Sequence, residues 1–144
     1  MTGACFVDTN IFVYARDSAD RTKQEKAVAV IEQLWSNGSG RISVQVLNEL
    51  YAVMTGKYHA EESLVEADLK ALSSWQPLAL DLPLIERAFL IRRHYRQNWW
   101  DCLIIAAAVA QQCRYILSED LSNGANYLGA IVKDPFAPGF SLSD

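Results

Sequence analysis

The sequence has 144 residues, 51% hydrophobic and 21% charged, a size and composition suited to one compact domain over residues 1–144 with its own core. Its formal net charge of −4 excludes a uniformly basic surface, although Arg92, Arg93, His94 and Arg96 form one basic cluster and Arg16, Arg21, Lys23 and Lys26 another. No basic leader precedes an apolar stretch, and the longest apolar run, 102–110, is far shorter than the ~20 residues a bilayer needs, so a cytoplasmic protein without membrane contact is expected.

Short apolar runs alternate with amphipathic stretches along the chain, which predicts an α/β fold with a mainly parallel sheet. Cys5–Val7 reads as a first strand ending at Asp8, and 9–15 as a helix. In 20–36, Ala27, Val28, Val30, Ile31, Leu34 and Trp35 recur at helical spacing before Asn37-Gly38 stops the run. Residues 41–44 read as a second strand. Residues 45–57 are helical, with Val46, Leu47, Leu50, Tyr51 and Met54 on one face. In 61–75, a further amphipathic helix, Leu64, Ala67, Leu72 and Trp75 are expected to point inward. Residues 77–81 read as a short strand, and Pro83 suits the first turn of a helix running to about Tyr95. Asn98 can cap the next helix, which is apolar nearly all round and therefore expected to be buried. Tyr115–Leu117 is a strand leading into Ser118-Glu119-Asp120, Asn123-Gly124 signals a turn, and 130–132 is a last strand. The three cysteines, Cys5, Cys102 and Cys113, have neither zinc nor redox spacing and read as buried free thiols.

Four acids stand at element ends or burial boundaries. Asp8 and Asp120 follow strands, where open parallel sheets bind their ligands. Asp8 or Thr9 could also simply cap the helix that follows. Glu49 falls at the edge of its helix's apolar stripe, a position an ordinary boundary glutamate also takes. Asp101 lies three residues after Asn98, where a carboxylate completes a capping box and complements the helix dipole. Asp120 is preferred to Glu119, which strand alternation turns toward solvent. If the four converge, their repulsion requires bound protons or a divalent cation. A set of hard oxygen donors without histidine suits Mg²⁺ or Mn²⁺ rather than zinc. A phosphoacceptor receiver domain also gathers acids at strand ends. It needs paired early acids, and no acid precedes Asp8.

Val7-Asp8-Thr9-Asn10-Ile11, Leu47-Asn48-Glu49-Leu50, Trp100-Asp101-Cys102-Leu103-Ile104 and Leu117-Ser118-Glu119-Asp120-Leu121 occur in that order. Together they resemble the PIN-domain ribonucleases, most of all the small VapC-type toxins of toxin–antitoxin pairs, from Cys5 to Phe136. The resemblance implies a three-layer α/β/α fold around a parallel sheet of about five strands. It implies an endoribonuclease dependent on Mg²⁺ or Mn²⁺, a homodimer, and a cognate antitoxin that inserts into the active-site groove. Asp8, Glu49, Asp101 and Asp120 match the family's acids. Asp8 and Asp101 are expected to contact the metal directly, Glu49 and Asp120 to act through water or a second ion. Asn10 and Ser118 match the polar positions that support the acids. Arg92, Arg93 and Arg96 are candidate RNA-backbone contacts at the rim, or else a solvated helix face. A PIN-like module that binds RNA or protein without cutting is the competing expectation.

Overall fold

The protein is described here by a computed structural model covering residues 3–142. Five strands form one sheet: β1 (Cys5–Val7), β2 (Gly40–Arg41), β3 (Tyr115–Leu117), β4 (Asn126–Tyr127) and β5 (Ala130–Lys133). Their spatial order is β2-β1-β3-β5-β4, with every pairing parallel except β4 against β5. Six helices flank this sheet to give three layers: α1 (Thr9–Arg16), α2 (Arg21–Asn37), α3 (Val44–Gly56), α4 (Glu62–Leu72), α5 (Leu82–Tyr95) and α6 (Trp99–Ala110). Among the described residues no helix is long and apolar enough to cross a membrane.

The central strands β1 and β3 are buried at every residue. Strands covered by helices on both faces read as unbroken apolar runs, which is why Cys-Phe-Val and Tyr-Ile-Leu were legible. Helix α6 is buried along Cys102–Ala108, as its all-round apolarity requires. Cys5, Cys102 and Cys113 are free and buried.

Several boundaries differ from expectation. The second strand is Gly40–Arg41 rather than 41–44, because the Ser43 hydroxyl accepts from the Val46 N–H and starts α3 at Val44. Residues 77–81 do not form a sheet strand. Leu78 makes a single bridge to Ser43, and Asp81 then caps α5 through the Leu84 N–H. Strand β4 was not expected. It is two residues long, and a tight turn through Leu128 (φ 54°) and Gly129 (φ 98°) folds it back on β5. On α4 the inward line is Val65 and Leu72, continued by Trp75 in a short 3₁₀ turn. Leu64 is 64% exposed, and Ala67 is exposed as well.

Trp75 closes the sheet's β2 edge. Its ring packs against Phe12 and Trp35, with centroids 5.7 and 5.4 Å away. It also lies flat enough on Gly40 that a Cβ there would stand 2.6 Å from the ring. Gly40→Ala therefore overfills a buried contact. It is expected to lower the unfolding free energy by about 1–3 kcal/mol in urea titration, whereas Gly56→Ala, which meets nothing, should not.

Candidate active site

The site follows from strand register. β1 and β3 are adjacent and parallel, with Val7 opposite Leu117. The next residues, Asp8 and Ser118, therefore emerge side by side at the carboxyl edge of the sheet. The Asp8 N–H continues the ladder to the Leu117 carbonyl at 3.0 Å. The chain leaves β1 toward β2 on one side and later enters β3 on the other, so this is a topological switch point, where such sheets bind ligands.

Asp8 is buried, and its carboxylate accepts three hydrogen bonds. Oδ1 accepts from the Thr9 N–H at 2.8 Å, the helix-cap bond of α1. Oδ2 accepts from the Ser118 hydroxyl at 2.8 Å and the Asn10 amide at 3.2 Å. The Ser118 oxygen in turn accepts the N–H groups of Asp120 and Leu121 at 3.1 and 3.3 Å, which shapes the loop after β3. Asn10 also donates to Asp120 Oδ2 at 3.1 Å and accepts the Glu119 N–H at 3.2 Å. Asp8, Asp120, Asn10 and Ser118 are thus one network. Glu49 joins it from α3, where its Oε1 accepts the Thr9 hydroxyl at 2.8 Å. Asp101 sits in the first turn of α6. Its backbone N–H donates to the cap side chain of Asn98 at 3.0 Å, and its Oδ2 accepts the Asn98 amide at 2.6 Å.

All four acids line one groove of about 430 Å³. Its walls are helical stripes. Asn10 and Tyr14, with Asp17 just beyond, come from α1; Gln45, Glu49 and Val53, with Lys57 just beyond, from α3; Trp100, Asp101 and Ile104 from α6. The spacings of three and four residues along α1 and α3 are one face of each helix. Extending that spacing outward from Asn10 and Glu49 would have found Tyr14, Asp17, Gln45, Val53 and Lys57, which motif reading missed. Glu119 is a correction. It is not turned to solvent but lines the groove, accepting the Tyr14 hydroxyl at 2.8 Å and pairing with Lys23. Arg92, Arg93 and Arg96 do not line the groove. The Arg92 guanidinium instead donates to the Arg96 and Gln97 carbonyls at the end of α5, while Arg93 and Arg96 are exposed. Among the described residues, Lys57 is the one cation lining the groove.

The donor chemistry fits a hard divalent cation. Glu49 Oε2, Asp101 Oδ1 and Asp120 Oδ1 accept no hydrogen bond from any described residue, and none of the four acids is ion-paired there. The acids ring the groove rather than meet at a point, for no group of three Asp, Glu, His or Cys side chains among the described residues is gathered tightly enough to hold a metal ion directly.

A family model described as PIN domain matches residues 5–122. Among solved structures, FitAcB from Neisseria gonorrhoeae superposes with a TM-score of 0.67 at 18% identity, covering 91% of this chain and 97% of that one. A toxin–antitoxin complex from Klebsiella pneumoniae gives 0.66 at 23% identity, over 93% and 98%. VapC20 from Mycobacterium tuberculosis, described as a sarcin–ricin loop cleaving toxin, gives 0.62 at 17%, over 81% and 92%. At these identities the likeness is one of fold. No curated protein sequence matches the chain.

The electrostatics single out Asp8. Burial pushes its carboxyl up to about 6, and the negative charges of Glu49 and Asp120 add to that, while the Ser118 and Thr9 hydrogen bonds oppose it. Burial also raises the Asp101 carboxyl, with Asp120 and Glu49 pushing the same way and the Asn98 hydrogen bond opposing. A folded-state pKa above the unfolded value means that the native protein holds a proton the unfolded chain has released. The resulting stability is full below about pH 4 and is lost as pH rises through about 6. For Asp8 this amounts to on the order of 3 kcal/mol. In metal-free buffer, urea unfolding of the wild type minus that of Asp8→Asn is expected to fall by that order between pH 4 and pH 7.5. A pH-independent difference would contradict the burial of this acid.

Proposed function

The chain belongs to the PIN domain family, and on that premise we propose that it is a divalent-metal-dependent endoribonuclease acting as the toxin of a toxin–antitoxin pair, with residues 1–144 forming a single domain. The observation that carries this reading is the ring of Asp8, Glu49, Asp101 and Asp120 around one groove, mutually repelling and without an ion-pair partner among the described residues. Such an arrangement is costly unless a cation neutralises it.

Mg²⁺ or Mn²⁺, when bound, would polarise the scissile phosphoryl group and lower the pKa of water toward neutrality. Asp8 and Asp101 would hold it from the two helix N-termini where they sit. The protein's own groups do the positioning. Ser118 and Asn10 fix the Asp8 carboxylate, and Asn10 also fixes Asp120. The Thr9 hydroxyl holds one oxygen of Glu49, leaving the other free to accept a proton from an attacking water. Lys57, the one cation lining the groove among the described residues, would meet the RNA backbone.

The partner reading rests on the fold neighbours, which include the Klebsiella pneumoniae toxin–antitoxin complex and VapBC2 from Rickettsia felis bound to a DNA fragment from its promoter. By that route we assign this chain an antitoxin partner. Phe89 and Leu90, 48% and 60% exposed on α5, offer an apolar face for a homodimer.

Structured ribosomal or transfer RNA incubated with the purified protein is expected to be cut in Mn²⁺ or Mg²⁺ and spared in EDTA. Asp8→Asn and Asp101→Asn should each slow cutting by at least about 100-fold, the upper end for losing a residue that merely supports a metal ligand. Cleavage that survives EDTA, or that both variants retain, would overturn the mechanism. RNA binding without cleavage would favour a non-cutting module instead.

A further inference from the structure

Three aromatic side chains line the acidic groove, and two of them are committed. Tyr14 packs edge-on against Phe136 at 5.0 Å, carries the Lys23 ammonium over its ring and donates its hydroxyl to Glu119. Tyr58 carries the Lys57 ammonium over its ring and donates its hydroxyl to Asp17. The third, Trp100, is 61% exposed, and no ring or cation among the described residues stands against it.

This exposure is not looseness of the backbone. Trp100 lies in the first turn of α6, between the Asn98 cap and Asp101. Its carbonyl accepts the Gln45 amide from α3 at 3.3 Å. The preceding Trp99 stacks on Phe89 of α5, with centroids 5.4 Å apart and 29° between planes. One of two consecutive tryptophans thus ties α6 to α5. The other is held out over the groove, next to an acid of the site, with its face in water. A large apolar face kept exposed on a fixed backbone beside a polar groove marks a contact site.

Resting on the ribonuclease reading above, we propose that Trp100 is a positioning residue: its indole face takes one unstacked RNA base adjacent to the scissile phosphate. The phosphate must approach the carboxylates, and the base attached to the same nucleotide then needs a wall of the groove. Trp100 is the aromatic wall that is free to receive it. Stacking of this kind accepts any base and favours single-stranded or looped RNA over duplex, whose bases are already stacked.

The test uses a fluorescein-labelled, mixed-sequence 12-nucleotide RNA and the same strand with abasic riboses. Binding is read by fluorescence anisotropy in EDTA, and cleavage of the base-bearing strand is followed in Mn²⁺. The wild type is expected to prefer the base-bearing strand. Trp100→Ala should lose that preference with a roughly 5- to 100-fold weaker affinity, the range that follows from removing a stacking aromatic. Trp100→Phe should keep most of it. In cleavage the alanine variant should raise KM more than it lowers kcat. If the wild type cleaves and Trp100→Ala retains the base preference, the ribonuclease reading stands and the platform is wrong. If the affinity loss tracks dissociation of a dimer in sedimentation, the exposed face serves a second copy and the platform is again wrong. If the wild type does not cleave, both readings fall together.

Discussion

A carboxylate taken out of water at the end of a central strand is the constraint around which this site is arranged. Asp8 is where β1 ends, and the parallel register with β3 sets Ser118 beside it. One hydroxyl at 2.8 Å then serves two purposes: it donates to the acid and accepts the backbone groups that turn the chain toward Asp120. Charge-assisted bonds of this kind contribute about 1.5–3 kcal/mol each, enough to hold the side chain in one rotamer though not to cancel its desolvation. What desolvation leaves uncompensated appears as the raised pKa, a site whose resting preference is for a proton or a cation.

The remaining acids are graded around that point. Asp8 is buried, Glu49 and Asp101 are half-buried, and Asp120 is exposed, so the acids run from the floor of the groove to its mouth. Each half-buried acid is steered by a short polar neighbour, Thr9 for Glu49 and Asn98 for Asp101. Each keeps one oxygen without a protein donor among the described residues. Glu119 is the exception. Its pairing with Lys23 and the Tyr14 hydroxyl neutralises it, so a fifth acid at the rim adds little to the field within.

How much of this was legible in the sequence varied with the kind of signal. Strands buried on both faces announce themselves as apolar runs, so β1 and β3 were placed to the residue, and with them Asp8 and the Ser118–Asp120 loop. Helix α6 was legible from its unbroken apolarity and its Asn98 cap. Strand β4 was not, since two residues held by a turn with left-handed backbone leave no periodicity. The lone Leu78 bridge was overread as a strand because the short apolar run Leu78-Ala79-Leu80 after Pro77 resembles one. Glu119 was misassigned because alternation along a strand does not extend past its last residue into a loop shaped by Ser118. The arginines of α5 were grouped by sequence proximity, whereas Arg92 is occupied with the carbonyls at the end of its own helix. Lys57 lay outside the motifs, yet two helical steps of four from Glu49 reach it, while Trp100 stood inside a motif without being read as part of the site.

The buried thiols carry a consequence of another kind. Burial holds the Cys5 thiol up at about 11 and the Cys113 thiol up at about 12, so neither forms appreciable thiolate near neutral pH in the folded protein. An alkylating reagent at neutral pH therefore reports transient opening rather than the closed fold. Cys5 opens the very strand that ends at Asp8, and its neighbour across the ladder is Tyr115 of β3. The rate at which Cys5 becomes reactive is thus a clock for separation of the two strands that define the site. Read by mass spectrometry, it would time that local event without any engineered label.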